Sequence, residues 1–238
     1  MDGSPIPRRL PGTAQDAGSR TAPTVVIAAC VRMLPVDGAA VLLMADDTHW
    51  SVAAATDTTI AACEDLQLTV GEGPSIAAYA TGGPVLLSDL VAAAGPWPVF
   101  AASAPLLVRA WFSLPLQIGA VRFGVLDLYR CTAGVLGRQA LADALRLADL
   151  AAAALVHRPA IILVNRAERV PTVLDCAPEV DQATGMISVH LGVDLGTAYA
   201  RLRGFAFASG RSLVEVAGAV VAGRLRLDEE DRRDESRP

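Results

Sequence analysis

The chain has 238 residues, 53% of them hydrophobic, and a formal net charge of -5 at pH 7; all 20 basic residues are arginine. That length admits one or two domains, and the acidic balance disfavours non-specific adhesion to nucleic acid. No apolar run reaches the length of a bilayer-spanning helix, the run Ala151–Val156 being far too short, so a cytoplasmic protein is expected.

In chain order, residues 1–23 carry Pro5, Pro7, Pro11, Gly12 and Gly18 around Arg8-Arg9, with little apolar content. They read as a disordered lead, and no apolar stretch follows the basic pair as a secretory signal requires. A helix apolar almost all round is expected from Val25 to Leu34. Strands follow from Ala39 to Ala45 and from Trp50 to Ala55 across an Asp46-Asp47 turn. After a helical interlude, Gly71-Glu72-Gly73-Pro74 has too few glycines before a helix to cradle phosphate and reads as a turn. A helix from Ser75 to Ala80 and a strand from Pro84 to Ser88 come next. Trp111–Ile118 and Val121–Tyr129 then form a hairpin about Gly119-Ala120.

A long helix from Arg138 to His157 closes this region. Asp143, Arg146 and Asp149 mark a narrow polar stripe on it. Leu141, Leu145, Ala148, Ala152 and Leu155 lie to one side, and Leu147, Leu150 and Ala154 to another. A helix apolar on two sides needs two partners; its own sheet is one, and the same helix together with the Val25–Leu34 helix of a second copy is the expected other, giving a homodimer. Residues 24–157 are thus an α+β domain, an antiparallel sheet with flanking helices, followed by a linker at 158–165.

Residues 166–227 form a second, all-α, three-helix domain, and 228–238 a charged tail. Pro178 suits a first helical turn, and Val180, Ala183, Ile187 and Leu191 recur at helical spacing up to Gly192. Asp194 is a good N-cap for a second helix that ends at Gly210. Ser212 and Glu215 make a capping box for the third. This domain holds seven Arg against six Asp plus Glu, a nearly neutral balance, so two copies acting together are expected to supply its affinity.

Catalytic and metal-binding constellations are not expected. Cys30, Cys63, Cys131 and Cys176 lack metal-ligand spacing and read as reduced structural thiols. His49, His157 and His190 stand far apart, with no Cys or carboxylate at zinc or triad spacing. No cofactor is indicated.

Two family resemblances give these domains functional expectations. Gly71-Glu72-Gly73-Pro74-Ser75, Gly82, Pro84-Val85-Leu86-Leu87, Ser88-Asp89-Leu90 and Phe123-Gly124-Val125-Leu126-Asp127-Leu128-Tyr129 make residues 24–157 similar to the GAF sensory family. The resemblance implies the α+β fold and a domain that binds nucleotides, haem, bilins, small metabolites or nothing. The Asn-Lys-Phe-Asp-Glu set of cyclic-nucleotide binders has no counterpart here. Trp97, Phe100, Trp111 and Phe112 fall near the segment that lines the family's cavity, so either an apolar small-molecule pocket or a filled remnant of one is expected there.

The second domain resembles the ANTAR family of transcription antitermination regulators, through Gln182-Ala183, Gly185-Met186, Leu191-Gly192, Ala198-Tyr199, Leu202-Arg203, Ala206, Arg211, Leu213 and Val216-Ala217. That resemblance implies binding to RNA stem-loops through Gln182, Ala183, Thr184, Gly185, Arg201, Arg203, Arg211 and Ser212. Thr184 departs from the Lys that many members carry. The alternative reading is a DNA-binding or protein-interaction regulator with a vestigial GAF-like dimerisation domain, since a capped third helix can also enter a major groove.

Overall fold

A computed structural model describes residues 22–44, 50–92, 95–156 and 178–227. Most of the expected lead, the Asp46-Asp47 turn, the linker and the tail lie outside the described residues, as do His49, His157 and Cys176. In chain order the elements are α1 (Ala22–Met33), β1 (Gly38–Met44), β2 (Trp50–Ala55), α2 (Thr58–Val70), α3 (Pro74–Thr81), β3 (Val85–Leu87), α4 (Pro98–Ser103), β4 (Ala110–Ile118), β5 (Val121–Arg130) and α5 (Arg138–Val156), then α6 (Pro178–Leu191), α7 (Leu195–Ser209) and α8 (Leu213–Val221).

The five strands form one sheet in the order β2-β1-β5-β4-β3, with every pair antiparallel. Side chains alternate across a strand, and here both faces are covered. Ala39, Val41, Phe112, Leu114, Leu126 and Leu128 face α1 and α5, where Ile27, Cys30, Ala144, Leu147 and Ala148 complete one core. Ala40, Leu42, Trp111, Val125 and Tyr129 face the other way, into a core with Ile60 and Cys63 of α2, Ala78 of α3 and Phe100 of α4. At the centre of the sheet a Cβ on Gly124 would lie 1.8 Å from the Leu42 carbonyl oxygen, so a glycine there lets β1 and β5 approach.

Helix ends explain the first turn motif. Asp57 caps α2, its Oδ1 accepting from the backbone of Thr59 at 2.9 Å and Ile60 at 3.1 Å. Gly71 ends α2 in the left-handed region at φ 70, donating to the Gln67 carbonyl. The Glu72 carboxylate reaches across to accept from the backbone N–H groups of Val99 at 2.7 Å and Phe100 at 3.1 Å. It thereby caps α4, a six-residue helix absent from the sequence reading. One and a half turns are too few for a periodic signal, and the capping group lies 27 residues upstream of Val99.

The second surface of α5 is narrower than its pattern suggests. Leu147 is buried in the core shared with α1, whereas Leu150 is 62% exposed. The pairing of these two on one free face is therefore corrected, because α1 packs along α5 and takes Leu147 for itself.

The last three helices pack as a bundle around Val180, Ala183, Ile187, Ala198, Leu202, Ala206, Leu213, Val216, Ala217 and Val220. Their ends follow the capping chemistry of the sequence. The Thr197 N–H donates to Asp194 at 2.9 Å, Gly210 ends α7 in the left-handed region, and the Ser212–Glu215 capping box closes with both bonds, at 3.1 and 3.2 Å. Among the described residues no single helix is long and apolar enough to cross a membrane; α7 and α8 reach the length only together, across a 114° bend, and Ala198, Leu202, Ala206, Leu213, Val216, Ala217 and Val220 of the pair are buried in the bundle core.

Candidate nucleic-acid interface

The residues expected to meet RNA divide between the surface and the interior of the bundle. Gln182 stands exposed on α6, beside a face where Met186 and Val189 are 41% and 84% exposed. Ala183 is fully buried. Thr184 is nearly so, its hydroxyl turned back to donate to the Val180 carbonyl at 2.7 Å. These two are corrected from contact residues to core residues, because they share the inward stripe of α6 with Val180 and Ile187. Gly185 is half-exposed, with open space where a Cβ would stand.

Arg201 on α7 is half-buried, and Arg211 is exposed in the turn before α8, 3.4 Å from the Glu215 carbonyl. The Ser212 hydroxyl is engaged in the capping box. Arg203 is placed quite differently. Its Nε donates to the Thr69 carbonyl of α2 at 3.1 Å, and its guanidinium covers Gly71 and lies 5.7 Å from the centroid of the Tyr199 ring.

On the α2 side of the sheet, the four expected pocket aromatics do not line one cavity. Trp111 and Phe112 are consecutive on β4 and so point to opposite faces, Phe112 into the α1/α5 core; Phe112 is corrected accordingly. Phe100 and Trp111 are fully buried and meet edge to face, with ring centroids 6.0 Å apart, and Trp97 packs half-buried beside them. A shallow open cleft exists at the surface, but Tyr79, Ala80, Ala120 and Arg122 line it, none of them among the four.

What the sequence reading missed is a polar cluster inside this core. Glu64 and Gln67 of α2, Ser75 of α3, Ser113 of β4 and Asp127 of β5 are all buried. The Trp111 indole N–H donates to Ser113 Oγ at 3.0 Å and Asp127 Oδ1 at 3.1 Å, and the Ser113 hydroxyl donates to the same oxygen. Gln67 Nε2 donates to Glu64 Oε2 at 2.8 Å and to Ser75 Oγ at 2.7 Å, while its carbonyl oxygen accepts from the Ser75 N–H at 2.9 Å.

Glu64 Oε1 and Asp127 Oδ2 have no hydrogen-bond partner, and the two buried carboxyls lie close enough for each to act on the other's ionisation. Burial raises the Glu64 carboxyl well above the usual range, reinforced by the Asp127 charge. Burial likewise pushes Asp127 up to about 6, against the lowering bonds from Ser113, Ser75 and Trp111. The available signal was Asp127 itself, an acid inside the apolar strand Val125-Leu126-Asp127-Leu128, in the register that faces α2.

Three cysteines lie among the described residues. Cys30 and Cys63 are buried and their thiols raised by desolvation, Cys30 to about 12. Cys131 is exposed, and its thiol is also raised, by desolvation and the nearby Asp37. Among the described residues no group of His, Cys, Asp and Glu is arranged to hold a metal ion.

The model of the GAF domain matches residues 21–156 and that of the ANTAR domain residues 171–221. The first spans more than half of the chain, and the chain belongs to the GAF family, with an ANTAR domain matched in its C-terminal part. Similar solved structures include the GAF domain of an Acinetobacter phosphoenolpyruvate-protein phosphotransferase, 14% identical over 63% of this chain and 89% of that one, with a TM-score of 0.47. A type II free methionine-R-sulfoxide reductase from Thermoplasma acidophilum is 16% identical over 56% and 91%, with a TM-score of 0.45. The GAF-B domain of DevS from Mycobacterium smegmatis is 18% identical over 56% and 89%, with a TM-score of 0.42. The comparison with curated proteins found no match.

Proposed function

We propose that this protein is a cytoplasmic regulator that binds stem-loop RNA through its ANTAR domain and acts by transcription antitermination, with the GAF domain as its dimerising and controlling part and no catalytic activity. The observation that carries this reading is the ANTAR match over the α6–α8 bundle, with Gln182 exposed on α6. An exposed amide beside half-exposed backbone at Gly185 suits unpaired loop bases, while Arg201 and Arg211 suit phosphate or a guanine edge.

Fluorescence anisotropy with a paired stem-loop RNA tests it. Gln182→Ala and Arg201→Ala each weaken binding by about 1–3 kcal/mol, the range of a specific base contact or a charge-assisted bond. Because the module is nearly neutral, the salt dependence is shallow, a slope of roughly 0.7 for each phosphate contacted. Equal binding of duplex DNA by wild type and both variants, without preference for the stem-loop, would replace this function with that of a DNA-binding regulator.

Paired stem-loops call for two modules, and the α1/α5 layer is our choice for the homodimer contact. Val25 on α1 is 50% exposed, and Leu145 and Leu150 on α5 are 37% and 62% exposed, above an otherwise closed core. Leu150→Glu is expected to leave each subunit folded and turn the dimer into a monomer, since a carboxylate buried there without a partner costs several kcal/mol. Light scattering at micromolar concentration is the measurement, and a wild-type monomer would end the idea. The interior around Phe100 and Trp111 is filled, which supports a platform for assembly over a receptor for an apolar small molecule at that place. Tryptophan fluorescence across a metabolite panel is accordingly expected to stay flat.

A further inference from the structure

Arg203 belongs to the set of side chains that the ANTAR resemblance assigns to RNA, yet here it is held by the GAF domain. We propose that the C-terminal end of α2 is a docking seat for the Arg203 guanidinium, and that the seat and RNA compete for this one side chain, so that the docked module is held in a state that binds RNA weakly. The inference rests on the RNA-binding reading above and adds to it the place where the GAF domain exerts control.

The seat is built from features that each fit a guanidinium. The last carbonyls of a helix lack partners within it and carry the negative end of its dipole. Thr69 offers one of these, and Arg203 Nε donates to it at 3.1 Å. The next turn of chain is Gly71, and an ideal Cβ there would lie 1.7 Å from Arg203 Nη2 and 2.2 Å from Cζ. The planar group therefore occupies space that any other residue would fill.

Tyr199, one turn earlier on α7, closes the seat from the opposite side, the guanidinium carbon lying 5.7 Å from its ring centroid. Leu68 of α2 completes the contact by packing against the core of the bundle.

The dock also contains an element that opposes it. Here α2 packs against α8, and partial burial with the Glu215 charge of α8 pushes Asp65 of α2 up to about 6. At neutral pH two like charges are thus drawn together when the module docks. Such a contact closes without locking.

Two substitutions in the GAF domain move the equilibrium in opposite directions without touching the module. Gly71→Asn keeps a residue that tolerates the left-handed cap but puts its Cβ where the guanidinium lies. Asp65→Asn removes the repulsion with Glu215. The full-length protein is used throughout, with a stem-loop RNA titrated by anisotropy and the free protein followed by hydrogen exchange.

Gly71→Asn is expected to tighten RNA binding about tenfold, as release from a state that leaves roughly one molecule in ten competent would do. It is also expected to speed exchange in α7 and at the end of α2. Asp65→Asn is expected to weaken RNA binding and slow the same exchange. Gly82→Asn, at the left-handed cap of α3, controls for general loosening and should leave RNA binding unchanged.

RNA affinity unaltered by Gly71→Asn, or raised as much by Gly82→Asn, would overturn the competition while leaving RNA binding intact. Failure of every variant to bind RNA would overturn the RNA-binding reading, and the competition with it.

Discussion

Trp111→Ala is expected to destabilise the protein by about 4–5 kcal/mol, the upper part of the range for truncating a buried aromatic. Two effects add. The ring is fully buried between the sheet and α4, in edge-to-face contact with Phe100, so a large void opens in a core with no exposed side from which to collapse. Its indole N–H also donates to both Ser113 Oγ and Asp127 Oδ1, and losing a donor from a buried carboxylate costs about 1–3 kcal/mol. Trp111→Phe separates the two, keeping most of the ring volume and losing only the donor, at a cost of about 1–3 kcal/mol. Guanidinium denaturation of the full chain followed by far-ultraviolet circular dichroism gives both values. A cost for Trp111→Ala below that of Trp111→Phe would show that the packing described here does not carry the stability of this face.

The buried carboxyl pair leads to the second large effect, a stability that falls as pH rises. The folded chain holds its protons on Glu64 and Asp127 to higher pH than the unfolded chain, whose carboxyls titrate near 4. Below that range both states are protonated and the pair costs nothing. As pH rises through the window from about 4 to 6 and beyond, the unfolded state releases protons that the folded state retains, and unfolding becomes more favourable. Burial is the first cause of the rise in Asp127, which places its share of the lost stability in the window up to about 6.

Glu64→Gln is expected to abolish most of this slope and to make the protein more stable than wild type at pH 7. The glutamine amide can donate to Asp127 where a second carboxyl stood, while its carbonyl still accepts from Gln67. Urea titrations at half-unit steps between pH 4.5 and 7.5 are the test. A variant with the wild-type slope would overturn this account of the buried pair.

The two predictions concern a region in which sequence and structure contributed unequally. Periodicity and capping chemistry located α7 and α8 closely, because Asp194, Gly210, Ser212 and Glu215 act within a few residues of the backbone groups they satisfy. The hairpin of β4 and β5 was legible for the same reason, its turn at Gly119-Ala120 being a local choice. In contrast, α4 depends on the Glu72 carboxylate from another part of the chain, and no local pattern announces it.

The candidate site divides along the same line. Which residue types stand on α6 was readable, but Ala183 and Thr184 were placed at the RNA face when helical spacing with Val180 and Ile187 puts them in the core. Strand alternation likewise separates Trp111 from Phe112, and α1 claims Leu147 from the free side of α5.

By itself, then, the sequence determined the two domains, their classes, most element boundaries and the family of each, since all of these rest on interactions between residues near in the chain or on ordered patterns of residue type. Only the tertiary structure decided that Glu64 of α2 and Asp127 of β5 are buried near one another, and that Arg203 is seated on α2 over Gly71. Both are meetings of groups more than sixty residues apart in the chain, and for such meetings the energy depends on burial and geometry that no local pattern contains.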